Sequence, residues 1–399
     1  MQEFDPKTFV ERQAREIRRI IGDEKALIAV SGGVDSTTCA VLTHMAIGEN
    51  LLCVILDDAF MRHGEPERVA KLLSSHPLNL PMRIVNVQER FLNALKGLRD
   101  AEEKRKVFRE VFYKSLSEIA LKEGSRYLVQ GTILADIQET KGGIKTQHNV
   151  LEQIGINTTE LYGFRVVEPL VSLYKGDVRK VARYLKIPPE ISERQPFPGP
   201  GLLVRIVGGV RPDKLTSLKK ATMVTEEELA KHKPDQFFAA IIDNARIPQH
   251  RAVKSIEEKA SQILKASSGN VSAKIFEDRA TGVKGNARVY GKILGLTCKE
   301  DGGEIYQPPI KDLNRLQEEI IAENPSISRV LYTIAEGEEK PYVIAIRAVK
   351  TQNFLTAQVA NIPWSTLNHA AQRILQSCPD ISCVYYDVTP KPPATIEME

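Results

Sequence analysis

The chain reads as an α/β protein, with a doubly wound parallel sheet over its first half and an α+β region containing an internal repeat after it. Three observations predict this. Four strand-length runs, Ala26–Val30, Leu51–Leu56, Met82–Val87 and Tyr127–Thr132, alternate with helical stretches between residues 20 and 190, the order that builds parallel sheets covered on both faces. The first run leads into a Gly-rich turn and a helix start, Ser31-Gly32-Gly33-Val34-Asp35-Ser36. Residues 312–334 and 366–388 repeat one pattern at a constant spacing of 54, pairing Leu313 with Leu367, Asn314 with Asn368, Ile320 with Ile374, Pro325 with Pro379, Val330 with Val384 and Tyr332 with Tyr386. Each copy reads as a helix, a Pro-containing turn and a strand.

Taken in order, residues 7–21 carry helical periodicity through Phe9, Ile17, Ile20 and Ile21. The first strand and its Gly-rich turn follow. Gly32 and Gly33 admit an anion close to the backbone, while the free N–H groups of the first helical turn and its positive dipole end face it. This is not a Walker A loop, which needs G-x-x-x-x-G-K-[ST]; here an Asp and two flanking Ser replace the Lys. Ser31, Ser36 and the loop amides suit phosphate oxygens, and Asp35 is placed to help hold Mg²⁺, a hard ion that prefers oxygen ligands.

Ligands of doubly wound sheets bind beyond the carboxyl ends of the strands. That rule selects Ser31 to Ser36 after the first strand, Asp57, Asp58 and Arg62 after the second, and Gln130, Gly131, Thr132 and Asp136 after a later one. Residues 140–165 break the periodicity, and a long polar loop inside a compact domain is expected to act as a lid. Placed at about 137–165 and carrying Lys141, Lys145 and His148, the lid brings positive charge over a phosphate-rich site. A helix over 176–185 leads to Arg194-Gln195-Pro196-Phe197-Pro198-Gly199-Pro200-Gly201, which continues neither helix nor strand. The expected domains are therefore 1–195 and 196–399.

Composition sets the remaining bounds. With 399 residues, 42% apolar and 27% charged, the chain is long enough for two or three domains. A net charge of +4 is small for that length and points away from nucleic acid and from a membrane surface. The five cysteines are odd in number and show no C-x-x-C spacing, as expected in a reducing compartment. No apolar window approaches 18 residues and the start Met1–Asp5 is polar, so the cytoplasm is the expected location.

The hexapeptide after a hydrophobic strand resembles the signature of the N-type ATP pyrophosphatases. Further segments extend the likeness from about residue 10 to the end, and together they resemble the ATP pyrophosphatase and dimerisation portion of the GMP synthetase family. These are Asp57–Arg62 where the family has D-N-G-x-x-R, Gln130–Ile133 with Asp136 and Glu139, Ile144–Asn149 where it has I-K-[ST]-H-H-N, Arg194–Gly201, Ile346–Val349, and Lys391–Glu399. The resemblance implies an enzyme that cleaves ATP between its α and β phosphates, adenylates the base carbonyl of XMP, and lets ammonia displace AMP. It also implies that Ser31–Ser36 with Gln130, Gly131 and Thr132 bind ATP, and that Asp35 helps hold Mg²⁺. Asp136, Glu139, Lys141, Lys145 and His148 would hold and polarise the reacting base. Arg62, Arg347, Lys391, Thr395, Ile396 and Glu397 would contact the acceptor nucleotide.

The chain departs from that pattern in places. No glutamine amidotransferase segment stands before the Gly-rich turn, so a separate glutaminase subunit or free ammonia is expected to supply nitrogen. Ala135, Gln147 and Leu151–Gly155 alter the lid, and Met398 replaces a penultimate Trp. The stretch from about 252 to 345 is longer than a minimal dimerisation domain, which leaves open whether the chain works as a homodimer or supplies both halves of an interface itself. Two other readings stay open: a paralogue acting on another oxo-nucleotide or delivering sulfur, and a non-catalytic nucleotide-binding subunit that regulates a glutaminase.

Overall fold

The structure is a computed structural model. It describes residues 4–141, 157–248, 252–285, 287–351 and 355–399, with the backbone alone for 138–141 and 268. Contacts group the chain into two compact units: residues up to Leu95 with Arg105–Gly199, and Lys96–Lys104 with Pro200–Glu399. A single cut in the sequence does not anticipate the short excursion Lys96–Lys104.

The first unit opens with α1 (Pro6–Ile21), whose start is set by Asp5: its carboxylate accepts from the Lys7 and Thr8 amides at 3.2 and 3.0 Å. Then follow β1 (Lys25–Ala29), α2 (Val34–Ile47), β2 (Leu51–Asp57), α3 (Glu65–Ser74), β3 (Met82–Asn86), α4 (Gln88–Leu95), α5 (Ala101–Glu123), β4 (Ser125–Val129), α6 (Leu134–Lys141), α7 (Thr158–Tyr162), β5 (Arg165–Val167), α8 (Lys175–Tyr184) and α9 (Pro189–Ser192). The five strands are parallel, in the order β3-β2-β1-β4-β5. Strand periodicity sends alternate residues to opposite faces. Ile28, Cys53 and Ile55 join Ile17, Leu42 and Val178 in one cluster, while Leu27, Val54 and Leu56 join Tyr113, Leu116 and Phe164 in another. The chain winds outward in both directions from β1, so the switch point lies between β1 and β4. The three-residue β5 is too short for its apolar run to stand out in the sequence.

The second unit contains α10 (Pro212–Leu229), β6 (Gln236–Asp243), α11 (Ala252–Leu264), β7 (Val271–Lys284), β8 (Ala287–Cys298), α12 (Ile310–Glu323), β9 (Ile327–Glu336), β10 (Tyr342–Lys350), β11 (Gln358–Val359), α13 (Trp364–Ser377) and β12 (Ile381–Asp387). Its mixed sheet runs β11-β10-β12-β9-β8-β7, with β6 also paired to β10. On one face Phe238, Phe276, Ile293, Leu331, Val343 and Tyr385 pack with Ile396 and Met398 of the C-terminal tail. On the other, Tyr332 meets Trp364 at the start of α13, ring centroids 5.9 Å apart. The tail is thus part of the core: Met398 is fully buried, and the Thr281 and Val283 amides donate to the carbonyls of Met398 and Pro393 at 2.8 and 2.6 Å. In the place of the family's tryptophan, the flexible methionine fills the space under the sheet.

Candidate functional site

At the switch point, β1 ends at Ala29 and the chain turns through Ser31, Gly32 and Gly33 into α2. Gly32 adopts φ 75°, and a Cβ there would stand 2.7 Å from the Val69 side chain, so the turn requires glycine twice over. The helix is capped by Gly33 with no side-chain hydrogen bond to its first turn, which leaves backbone donors for a ligand. Ser31 and Ser36 hydroxyls lie 3.2 Å apart, and Ser36 Oγ also accepts from the Ser31 amide at 3.3 Å. Val34 opens the helix and is buried.

Lys175, at the start of α8, donates through Nζ to Asp35 Oδ2 at 2.5 Å. The sequence pattern starts this helix at residue 176 and does not single out Lys175. A signal was present, because a lysine in a first helical turn opposes the macrodipole and calls for another use. It supplies the cation that the hexapeptide lacks. The other oxygen, Asp35 Oδ1, is buried with no hydrogen-bond partner among the described residues. An orphaned carboxylate oxygen beside a set of hydroxyls is the donor chemistry that Mg²⁺ accepts, so the residues present fit that ion.

The loop after β4 packs directly on this cradle. A Cβ on Gly131 would lie 2.9 Å from the Ser36 amide nitrogen. Gln130 is turned inward: its side-chain amide donates to the Tyr113 hydroxyl, and its Oε1 is buried without a partner among the described residues. Thr132 is fully buried. Asp136, in the first turn of α6, accepts the Ile133 amide at 3.0 Å, a cap that occupies one of its oxygens. The side chains of Glu139 and Lys141, and the whole of Lys145 and His148, lie outside the described residues, as does most of the expected lid.

After β2, Asp57 accepts from Gln88 Nε2 at 2.6 Å and Asp58 from the Phe60 amide at 2.8 Å. Ala59 adopts φ 75°, a left-handed conformation at the position where the family has glycine. Arg62 does not project into solvent: it is 8% exposed, lies 4.0 Å over the Phe197 ring and pairs with Glu65 at 3.4 Å. Burial pushes the Glu65 carboxyl up, but the guanidiniums of Arg194 and Arg62 outweigh it and hold it below the usual carboxylate range. As placed, Arg62 anchors the loop that carries Asp57 and Asp58.

In the second unit, Arg347 is fully buried, donating to Asp387 at 2.8 Å and to the Thr395 carbonyl at 2.9 Å. It therefore grips the tail from beneath. Asp387 also accepts from Arg329 at 2.7 Å; burial pushes its carboxyl up, yet the two guanidiniums hold it low. Arg329 reaches the Thr395 hydroxyl at 3.0 Å and the Glu397 carbonyl. Burial and neighbouring Arg347 pull its pKa down to about 10, which leaves it charged at neutral pH. Glu397 accepts twice from Arg205, at 3.0 Å each, and from Gln236 Nε2 at 3.3 Å; a carboxylate has about four lone-pair sites, so one is left for a further donor. Ile396 is turned into the core. Lys391 is joined to Ala357 by two backbone hydrogen bonds of 2.8 and 2.9 Å.

An anion cradle at the switch point of a parallel sheet, with an Asp–Lys pair in place of the Walker lysine, defines a nucleotide-binding protein of the ATP pyrophosphatase class. Comparison with known proteins agrees. Residues 9–199 match the family model described as NAD synthase, and residues 335–398 match that of the GMP synthase C terminal domain. The chain is 43% identical to a protein of Sulfurisphaera tokodaii named as one of the subunits of glutamine-hydrolyzing GMP synthase, over 99% of its own length and 100% of the relative's. The namesake from Methanopyrus kandleri is 41% identical over the same shares. The chain belongs to this family of separate GMP synthase subunits.

Proposed function

We propose that this chain is the ATP-dependent, AMP-forming carbon–nitrogen ligase subunit of GMP synthesis, activating XMP with ATP and aminating it with ammonia to give GMP, AMP and pyrophosphate. Full-length identity to the GMP synthase relatives, joined to the intact Ser31–Ser36 cradle and its Asp35–Lys175 pair, carries this reading. The β and γ phosphates would lie on the open first turn of α2, with Ser31 and Ser36 hydroxyls on their oxygens and Lys175 turning from Asp35 to the incoming charge. Mg²⁺, held by Asp35, would neutralise phosphate charge. Asp136, Glu139, Lys141, Lys145 and His148 would orient the base. Catalysis is then mainly placement and charge stabilisation. The tail residues Lys391, Thr395, Ile396 and Glu397 would hold the XMP phosphate and base, Ile396 through its backbone.

The relatives are named as parts of glutamine-hydrolyzing enzymes, which supports a separate glutamine amidotransferase as nitrogen donor. All five thiols are free, buried and raised in pKa by burial. That speaks against a sulfur-delivering paralogue, which needs an accessible thiolate, and suits a reducing cytoplasm. Among the described residues no helix is long and apolar enough to cross a membrane. The test is incubation with ATP, Mg²⁺, XMP and ammonium, followed by separation of the nucleotides. Equal amounts of AMP and GMP are expected; ADP with orthophosphate, or AMP with every acceptor but XMP, overturns the proposal.

A further inference from the structure

The repeat visible in the sequence covers one helix and one strand of each copy, but the likeness runs further in the folded chain. From the middle of the sheet outward, β9 is followed by parallel β8 and then antiparallel β7. In the other direction β12 is followed by parallel β10 and then antiparallel β6. Helix α12 packs on α11, and α13 on α10. Both α12 and α13 have 14 residues, a proline at the N-cap, and a closing hydrogen bond to Ile320 or its counterpart Ile374. Tyr332 and Tyr386, counterparts of each other, pair directly across β9 and β12. Two copies of one unit, α10-β6-β10-α13-β12 and α11-β7-β8-α12-β9, are therefore related by a pseudo-twofold axis through that tyrosine pair. The second copy is threaded between β6 and β10 of the first. Such pairing is what an isologous dimer makes between two chains.

The copies differ in charge on the face beneath the tail. Ladder register matches Ile346 and Tyr386 with Leu296 and Tyr332, which places Arg347 opposite Thr297 and Asp387 opposite Thr333. The spacing of 54 places Arg329 opposite Cys383. At one end of the axis stands the fully buried set Arg329–Asp387–Arg347; at the other stand Cys383, Thr333 and Thr297, with the two threonine hydroxyls 2.7 Å apart. A symmetric scaffold thus buries a charged set at one end, while at the other it buries hydroxyls and a thiol, with the charge at the rim: Glu336 accepts from Thr297 at 3.4 Å and pairs with Lys299 at 2.8 Å. The charged end holds the tail, and its Arg329 comes from the inserted copy.

We propose that the inserted copy, about residues 244–341, stands where a second chain would otherwise stand, and that through the positioning residue Arg329 it completes the nucleotide-holding tail in cis. This rests on the tail reading given above. Arg329→Lys keeps a charge beside Asp387 while removing the fork that reaches Thr395 and Glu397. With ammonia as donor, the KM for XMP should rise about tenfold and that for ATP by less than twofold, whereas Cys383→Ala, at the counterpart position without a buried charge, should leave both within twofold. Mixing the Arg329→Lys chain with an Asp35→Ala chain should then give no more activity than the two measured apart. Restoration on mixing would show that a partner chain supplies Arg329 and would overturn the proposal. An unchanged KM for XMP in Arg329→Lys overturns it too, while the tail reading survives if Lys391→Ala and Glu397→Gln still raise that KM. If those two variants leave it unchanged, the tail reading itself fails.

Discussion

Gly131→Ala tests the cradle at its tightest support. The added Cβ would meet the Ser36 nitrogen at 2.9 Å, the Asp35 carbonyl carbon at 3.0 Å and Ser36 Cα at 3.2 Å. All three are backbone atoms in the first turn of a helix, so no side chain can swing aside. Ordinary contact begins near 3.4 Å, so the turn has to retreat by about 0.5 Å. Overpacking of this kind costs about 1–3 kcal/mol of stability. A displacement of ~1 Å in a phosphoryl-transfer site costs about a hundredfold in rate, so half of it is expected to cost on the order of tenfold in kcat/KM for ATP. The assay is pyrophosphate release with ATP varied at saturating XMP and ammonium, beside an unfolding curve. Gly302→Ala, where nothing lies within 4 Å of the new Cβ, is the control. A folded Gly131→Ala protein with kcat/KM for ATP within twofold of the parent would refute the view that the loop after β4 sets the position of the phosphate turn.

Lys175→Ala removes the cation paired with Asp35; the KM for ATP should rise about tenfold with that for XMP unchanged, and equal rises in both would argue against a phosphate role. Ala59→Gly relieves a positive φ; the strain of about 1 kcal/mol less the glycine entropy cost leaves about 0.5 kcal/mol of stabilisation, to be read from urea unfolding, and any loss of stability counts against it. Glu399 is 3% exposed beside Lys104 at 2.5 Å, and burial raises its carboxyl from 4.5 to about 7. The folded chain keeps this proton to higher pH than the unfolded one, so stability falls as pH rises from about 4.5 to about 7 and stays lowered above that. Glu399→Gln should flatten that fall across unfolding curves at pH 5, 6, 7 and 8, and curves parallel to the parent's would exclude it.

Much of the candidate phosphate site is legible because its signals are local. A strand, two glycines and a helix start are contiguous, and Gln130-Gly131-Thr132 follow an apolar run, so the switch-point rule alone brought both loops together. Lys175 was not legible in that way, since 140 residues separate it from Asp35 and only the winding of α8 back across the sheet joins them. The strand-end rule and the family resemblance place Arg62 at the acceptor nucleotide, and the resemblance alone places Arg347 there, but position along the chain does not say which way a side chain turns. Folding directs both inward, where Glu65 and Asp387 neutralise them.

The sequence by itself determined the alternation that forces a parallel sheet, the anion turn, and the half-copy repeat at spacing 54, all of which depend on neighbours within a few turns of chain. Tertiary structure alone decided that the repeat is a whole unit threaded through another, that one end of its axis buries a charged set while the other buries hydroxyls and a thiol, and that the last residues are core. Those outcomes depend on cross-strand register and on desolvating charges from distant segments together. No local pattern encodes these, because a buried Arg–Asp–Arg set is stable only once all three residues have arrived.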